Sequence, residues 1–237
     1  MSVIKHPSES RGRADHGWLK SFHTFSFASY FDPSRIRFGV LRVLNDDAVA
    51  PGMGFGTHPH DNMEIISIPL EGELAHKDSM GNASVIKSGD IQVMSAGSGI
   101  THSEFNNSSV EPVKFLQIWI FPNQKNIAPR YGQVTLPTGV VNQWQTVVGP
   151  KSSGLETWIQ QDAWFTLGEF EKGAYAEYSL KQADNGLYIF VIDGELTASG
   201  EHLSSRDGAG FTGLRSINFE FGDASKILLM EVPMFAH

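Results

Sequence analysis

An all-β architecture with two related β-barrels or sandwiches in tandem is what this sequence predicts, and three observations predict it. The 237 residues are punctuated by 24 glycines and 11 prolines, and long helical periodicity is absent between them. The segments in between are short, apolar and often β-branched or aromatic, with turn signals at regular intervals. One of them also recurs: "IISIPLEGEL" (Ile65 to Leu74) resembles "LYIFVIDGEL" (Leu187 to Leu196). Each copy is a buried-looking strand ending in acidic-Gly-Glu-Leu, followed by a polar stretch and then Gly89-Asp90 or Asp207-Gly208.

The elements follow in order. Met1 to Arg13 is polar and lacks the apolar run of a signal peptide. The aromatic-rich opening "DHGWLKSFHTFSFASYFDP" comes next, and Trp18, Phe22, Phe25, Phe27 and Tyr30 are expected to pack as core or as a lid. Phe38 to Leu44 reads as a strand closed by a turn at Asn45-Asp46-Asp47. Strands are expected at Glu64 to Leu70, Ala83 to Ile86, Ile91 to Met94 and Val113 to Phe121, with a hairpin loop at Asp78 to Asn82. Pro122 to Lys151, rich in Pro, Gly, Asn and Gln, reads as the connection, giving one unit over 1–135 and a second over 136–237. Later strands are expected at Tyr175 to Leu180, Leu187 to Ile192 and Lys226 to Val232.

Composition excludes several functions. Hydrophobic residues at 41% and charged residues at 19% fit an ordinary soluble globular chain. A net charge of −8 argues against direct nucleic-acid binding. No apolar stretch reaches the length of a membrane span, so the expected location is the cytoplasm. Without cysteine there are no disulfides, no iron–sulfur clusters and no thiol nucleophile, and any metal must be held by nitrogen and oxygen.

Two short segments carry ligand-type side chains. "FGTHPHDNMEII" places His58, His60 and Glu64 at even positions, which face one way if a single strand runs through them. Pro59 between them suits an edge strand. "GSGITHSEF" places His102 and Glu104 two apart. If the two segments are neighbours inside a barrel, four or five imidazole and carboxylate groups converge. Such a donor set suits Fe(II), Mn, Ni, Cu(II) or Zn. Three neutral histidines and one carboxylate would leave a divalent ion at +1, with two octahedral positions open. The other histidines have no such pattern. His16 and His23 are assigned to the aromatic opening, with support of the metal ligands as a role open to His23. His6 and His237 are assigned to disordered or solvent-facing termini, and His76 and His202 to the surface.

"GMGFGTHPHDNME" resembles the first motif of the cupins, from Gly52 through His58, His60 and Glu64, with the closing Gly72 one residue late. "GDIQVMSAGSGITHSEFN" resembles the second motif, from Gly89 through Gly97 and His102 to Asn106. Ser95 replaces the usual proline there, and two extra residues separate Gly97 from His102. The ending His-Ser-Glu, the opening "RGRADHGWLKSFHTFSFASYFDP" and "PRYGQ" (Pro129 to Gln133) are similar to the pirin family within the cupins. The resemblance implies two tandem cupin (jelly-roll) barrels, the second without metal ligands. It implies metal ligands at His58, His60, His102 and Glu104, Glu104 also acting as catalytic base. Glu64, the carboxylate ligand of most cupins, becomes a neighbour or an alternative ligand. It implies a divalent metal, Fe(II) first, with Cu, Ni, Mn, Co or Zn as alternatives. The implied activity is that of quercetin 2,3-dioxygenase: a flat aromatic flavonol and O2 react, the ring opens and CO leaves. Phe55, Met53 and the N-terminal aromatics are the local candidates to line the pocket. The alternative is an iron-dependent regulatory protein that works through a protein partner, flavonol turnover being incidental.

Overall fold

The computed structural model describes residues 1–234. His237 lies outside the described residues. The strands are β1 (Ser2–His6), β2 (Gly12–Asp15), β3 (Leu19–His23), β4 (Leu41–Val49), β5 (Gly54–His60), β6 (Glu64–Glu71), β7 (Glu73–Asp78), β8 (Ala83–Lys87), β9 (Asp90–Ser95), β10 (Ile100–Asn106), β11 (Val113–Ile120) and β12 (Arg130–Thr135). They continue as β13 (Gln143–Pro150), β14 (Trp158–Ile159), β15 (Trp164–Phe170), β16 (Tyr175–Ser179), β17 (Asn185–Asp193), β18 (Glu195–Ala198), β19 (Glu201–Ser204), β20 (Gly208–Thr212), β21 (Ser216–Phe221) and β22 (Ser225–Pro233).

They form two barrels, each a large sheet facing a small one. The first has the order β12-β9-β6-β11-β4-β3-β2 against β5-β10-β7-β8. The second has β1-β20-β17-β22-β15-β13-β14 against β16-β21-β18-β19. The repeated segments are β6 and β17, at equivalent places, and the glycines that end them, Gly72 and Gly194, both have left-handed backbone (φ +77 and +88) that a side chain would strain.

Burial explains the sequence texture. The two large sheets pack back to back, so their central strands are covered on both faces and read as continuous apolar runs. On β17, Tyr188, Phe190 and Ile192 enter the core between the barrels, and Leu187, Ile189 and Val191 fill the second barrel. On β6, Ile66 and Ile68 enter the same shared core. The small sheets are wetted on one side and alternate, as in β21, where Ile217, Phe219 and Phe221 are buried between exposed neighbours.

The segment Pro122 to Lys151 is more than a connection. Its β12 extends the first barrel beside β9, and its β13 is a strand of the second. The N-terminus crosses over: β1 pairs with β20, from Ser2↔Thr212 to His6↔Gly208. His6 is therefore buried rather than solvent-facing, with Nδ1 2.7 Å from the Tyr188 hydroxyl. Among the described residues no helix is long and apolar enough to cross a membrane.

Candidate metal centre

The interior of the first barrel changes character along its length. One end is plugged by Leu19, Val49, Leu74, Ile86, Val113 and Phe115. The other opens into a cavity of about 350 Å³, on whose wall His58, His60 and Glu104 meet Phe27, Phe55 and Trp119.

Strand pairing assembles the imidazoles. β5 is the edge of the small sheet, where Pro59 leaves no ladder bond unmade. It lies antiparallel to β10 with His58 opposite His102 and His60 opposite Ile100. The ring centroids are 4.4 Å apart for His58–His102, 4.8 Å for His58–His60 and 4.9 Å for His60–His102. One nitrogen from each lies within 4.8 Å of the others, the arrangement a single ion bridges.

The chemistry of the three rings fits a metal. His58 Nδ1 donates to the Gly56 carbonyl at 2.7 Å, which leaves Nε2 as the nitrogen available to coordinate. His102 is buried, and neither of its ring nitrogens has a protein partner. Burial, then the neighbouring His58, holds His60 down at about 4. Burial and the surrounding imidazoles also push His102 well below the usual range. Both rings are therefore neutral at pH 7, the state a metal requires.

Glu104 lies on the same inward face of β10 as His102, after an irregularity in the pairing with β5. It accepts Gln117 Nε2 at 2.9 Å and Ser67 Oγ at 3.2 Å. Complete burial pushes its carboxyl up to about 7. Its oxygens are not among the donors grouped within 4.8 Å, which are the three imidazoles.

Glu64 does not share a face with His58 and His60. The strand breaks at Asp61–Met63, where Asn62 has φ +48, and Glu64 begins β6 in the other sheet. It lies on the side of Ile66 and Ile68, toward the second barrel. Ser95 Oγ donates to it at 2.6 Å, and the Gln160 backbone and the charge of Arg130 reach it. Burial raises it to about 7.

Several residues sit where the sequence did not place them. Asn45-Asp46-Asp47 is no turn: β4 runs through it to Val49. Asn45 and Asp47 point into the cavity, and Asp46 faces the second barrel, where it pairs with Arg11 and Arg206. His76 is not on the surface. It is buried opposite Glu104 in the β10–β7 pairing, with its ring 5.3 Å from His102 and both nitrogens unpartnered. The period-2 burial of β4, and the register that brings β7 against β10, are the signals that find them. His202, by contrast, is exposed.

The aromatic opening divides its labour. Phe27 reaches the cavity and meets Trp119 edge-on at 5.4 Å and His23 at 5.3 Å. Trp18 packs on Phe55, Phe22 lies under Arg11, and Phe25 joins the core between the barrels. Met53 is exposed and does not line the cavity.

A pirin family model matches residues 5–120, and a model of the quercetinase C-terminal cupin domain matches residues 146–232. A quercetin 2,3-dioxygenase of Escherichia coli (strain K12) is 40% identical over 226 residues, 95% of this chain and 96% of that one. A pirin-like protein of Caulobacter vibrioides is 40% identical over 210 residues, 88% of this chain and 90% of that one. The solved structure of the bacterial pirin YhhW from Escherichia coli, in complex with nickel(II), superposes with a TM-score of 0.92 at 39% identity, covering 98% of this chain and 99% of that one.

Proposed function

The chain belongs to the pirin family, and from that premise we propose that it is a metal-dependent dioxygenase of the quercetin 2,3-dioxygenase type. The observation that carries this reading is the convergence of three imidazoles, neutral or free to coordinate, on an aromatic-walled cavity that also holds a fully buried carboxyl. A divalent ion, Fe(II) in our reading, would be held by His58, His60 and His102, with Glu104 as fourth ligand. A divalent ion so held supplies Lewis acidity toward a phenolic oxygen.

The chain's own residues do the rest. Beside the ion, Glu104 would take the proton of the flavonol 3-hydroxyl as general base. Ser67 and Gln117 fix its two oxygens, so the accepting lone pair is aimed before substrate arrives. Phe27, Phe55 and Trp119 offer flat surfaces to the rings and exclude water. One O2 enters, the flavonol ring opens and one CO leaves, which balances the atoms with a depside as product.

The test is to add quercetin under air to protein reconstituted with Fe, Ni, Mn, Cu, Co or Zn, following the flavonol absorbance and CO. Turnover with at least one metal supports the reading, and its absence with all of them ends it. In Glu104→Gln, turnover falls by about 10²- to 10⁴-fold, the usual range for a removed general base. Full activity there removes Glu104 from the proton-transfer role.

A further inference from the structure

The large sheet of the first barrel carries a row of polar side chains across its inner face. Pairing aligns His23 with Asn45, Asn45 with Gln117, Gln117 with Ser67 and Ser67 with Gln92. Five adjacent strands thus present hydrogen-bonding groups at one level of a barrel interior, where apolar side chains are the rule.

The row has two parts. Gln117 and Ser67 are committed to Glu104. His23 and Asn45 are not: each is 2% exposed, each lines the cavity, and His23 Nδ1 and Asn45 Oδ1 have no protein partner. Buried polar atoms left unpaired are costly, and a native fold keeps them where something else pairs with them. Beside them Asp47 accepts from Ser21 Oγ and faces the same space. This wall offers an amide oxygen, the Asp47 carboxyl, which burial pushes up to about 7, and a ring nitrogen able to accept. Strands lie about 4.8 Å apart, so Asn45 stands about 5 Å and His23 about 10 Å from Gln117 across the sheet. Both line the same cavity as His58 and His60, so a three-ring flavonol held at the imidazoles can present its far hydroxyls to this wall.

We propose that His23, Asn45 and Asp47 form a hydroxyl-reading subsite that selects flavonols carrying donor hydroxyls remote from the metal-binding oxygens. The inference rests on the function proposed above and adds a substrate class to it. A site built to pair a hydroxyl rejects the analogue lacking it far more strongly than an apolar wall does, because the site's own polar atoms are then stranded.

The experiment compares quercetin with 3-hydroxyflavone, which keeps the three rings and the chelating pair but lacks the ring hydroxyls. Dissociation constants are measured anaerobically on nickel-loaded protein by flavonol absorbance, so no turnover is needed. Quercetin binds at least tenfold more tightly than 3-hydroxyflavone, and in Asn45→Leu the ratio falls to about 2 or less. Asp47→Asn, which keeps the shape and replaces one carboxyl oxygen with an amide donor, lowers the ratio by a smaller factor if Asn45→Leu fails to fold. Equal binding of the two flavonols by the wild-type protein, or an unchanged ratio in a folded variant, overturns the subsite and leaves the dioxygenase reading intact. Binding of neither flavonol by the nickel form or by any of the other metal forms overturns both.

Discussion

Ser67 and Ile189 hold the same place in the two barrels, the third residue of each copy of the repeated strand. Around Ser67 the pairing brings Gln117, Asn45, His23 and Gln92 to one level. Around Ile189 the same pairing brings Leu229, Thr166, Thr146 and Ala209. The facing sheet repeats the contrast. His76 lies opposite Glu104 in the first barrel, and Ala198 lies opposite Phe219 in the second. The second barrel's interior is filled by Phe170, Phe219, Phe221 and their aliphatic neighbours, with Phe170 and Phe221 stacked at 4.3 Å. Backbone ladder and sheet order are shared, so what separates the barrels is their inward side chains.

The largest effect expected from breaking this contrast is at His102. His102→Ala removes one of three nitrogens, and bound metal falls from about one per chain to below about 0.1 by elemental analysis, while far-UV circular dichroism is retained. Phe219→Ala is the counterpart in the filled barrel. It opens a cavity and costs about 3–5 kcal/mol in denaturant unfolding, with metal content unchanged.

Glu64 tests the junction. Its folded value, raised to about 7 from 4.5, means that the native protein holds a proton the unfolded chain gives up. The stability linked to it is complete below pH 4.5 and is lost as pH rises to about 7. Glu64→Gln keeps the shape without the titration. Its stability relative to wild type, from urea unfolding, therefore rises by about 2–3 kcal/mol between pH 4.5 and 7 at about 1.4 kcal/mol per unit, and a pH-independent difference refutes this assignment. The smallest effect is at Gln117→Leu, which makes the polar row more like its counterpart in the second barrel. Loss of one group steadying Glu104 weakens metal binding by about tenfold in chelator competition.

Much of this was legible locally. The pairs His58/His60 and His102/Glu104 are spaced by two, and period-2 spacing is a property of a strand that needs no tertiary knowledge. The repeat was legible for the same reason. Glu64 was misread because alternation holds only while a strand continues, and the left-handed Asn62 interrupts it. Asn45-Asp46-Asp47 has a turn's composition, yet Leu41, Val43, Asn45, Asp47 and Val49 are buried in alternation around it. Composition outweighed periodicity there. His76 looks isolated because Glu104 is set opposite it by strand register rather than by any nearby sequence pattern. His6 was misplaced because its position depends on a strand paired across the whole chain.

That strand has a consequence for biogenesis. Ser2 and Thr212 share a hydrogen bond across a separation of 210 residues. On the ribosome, β1 must remain unpaired until β20 has emerged, so its edge stays exposed through most of translation. Closure of the polypeptide into its final topology is a late, long-range event, of the kind that slows folding and invites mispairing. Nascent chains halted before Gly208 should therefore be far more open to protease at residues 2–6 than the released protein.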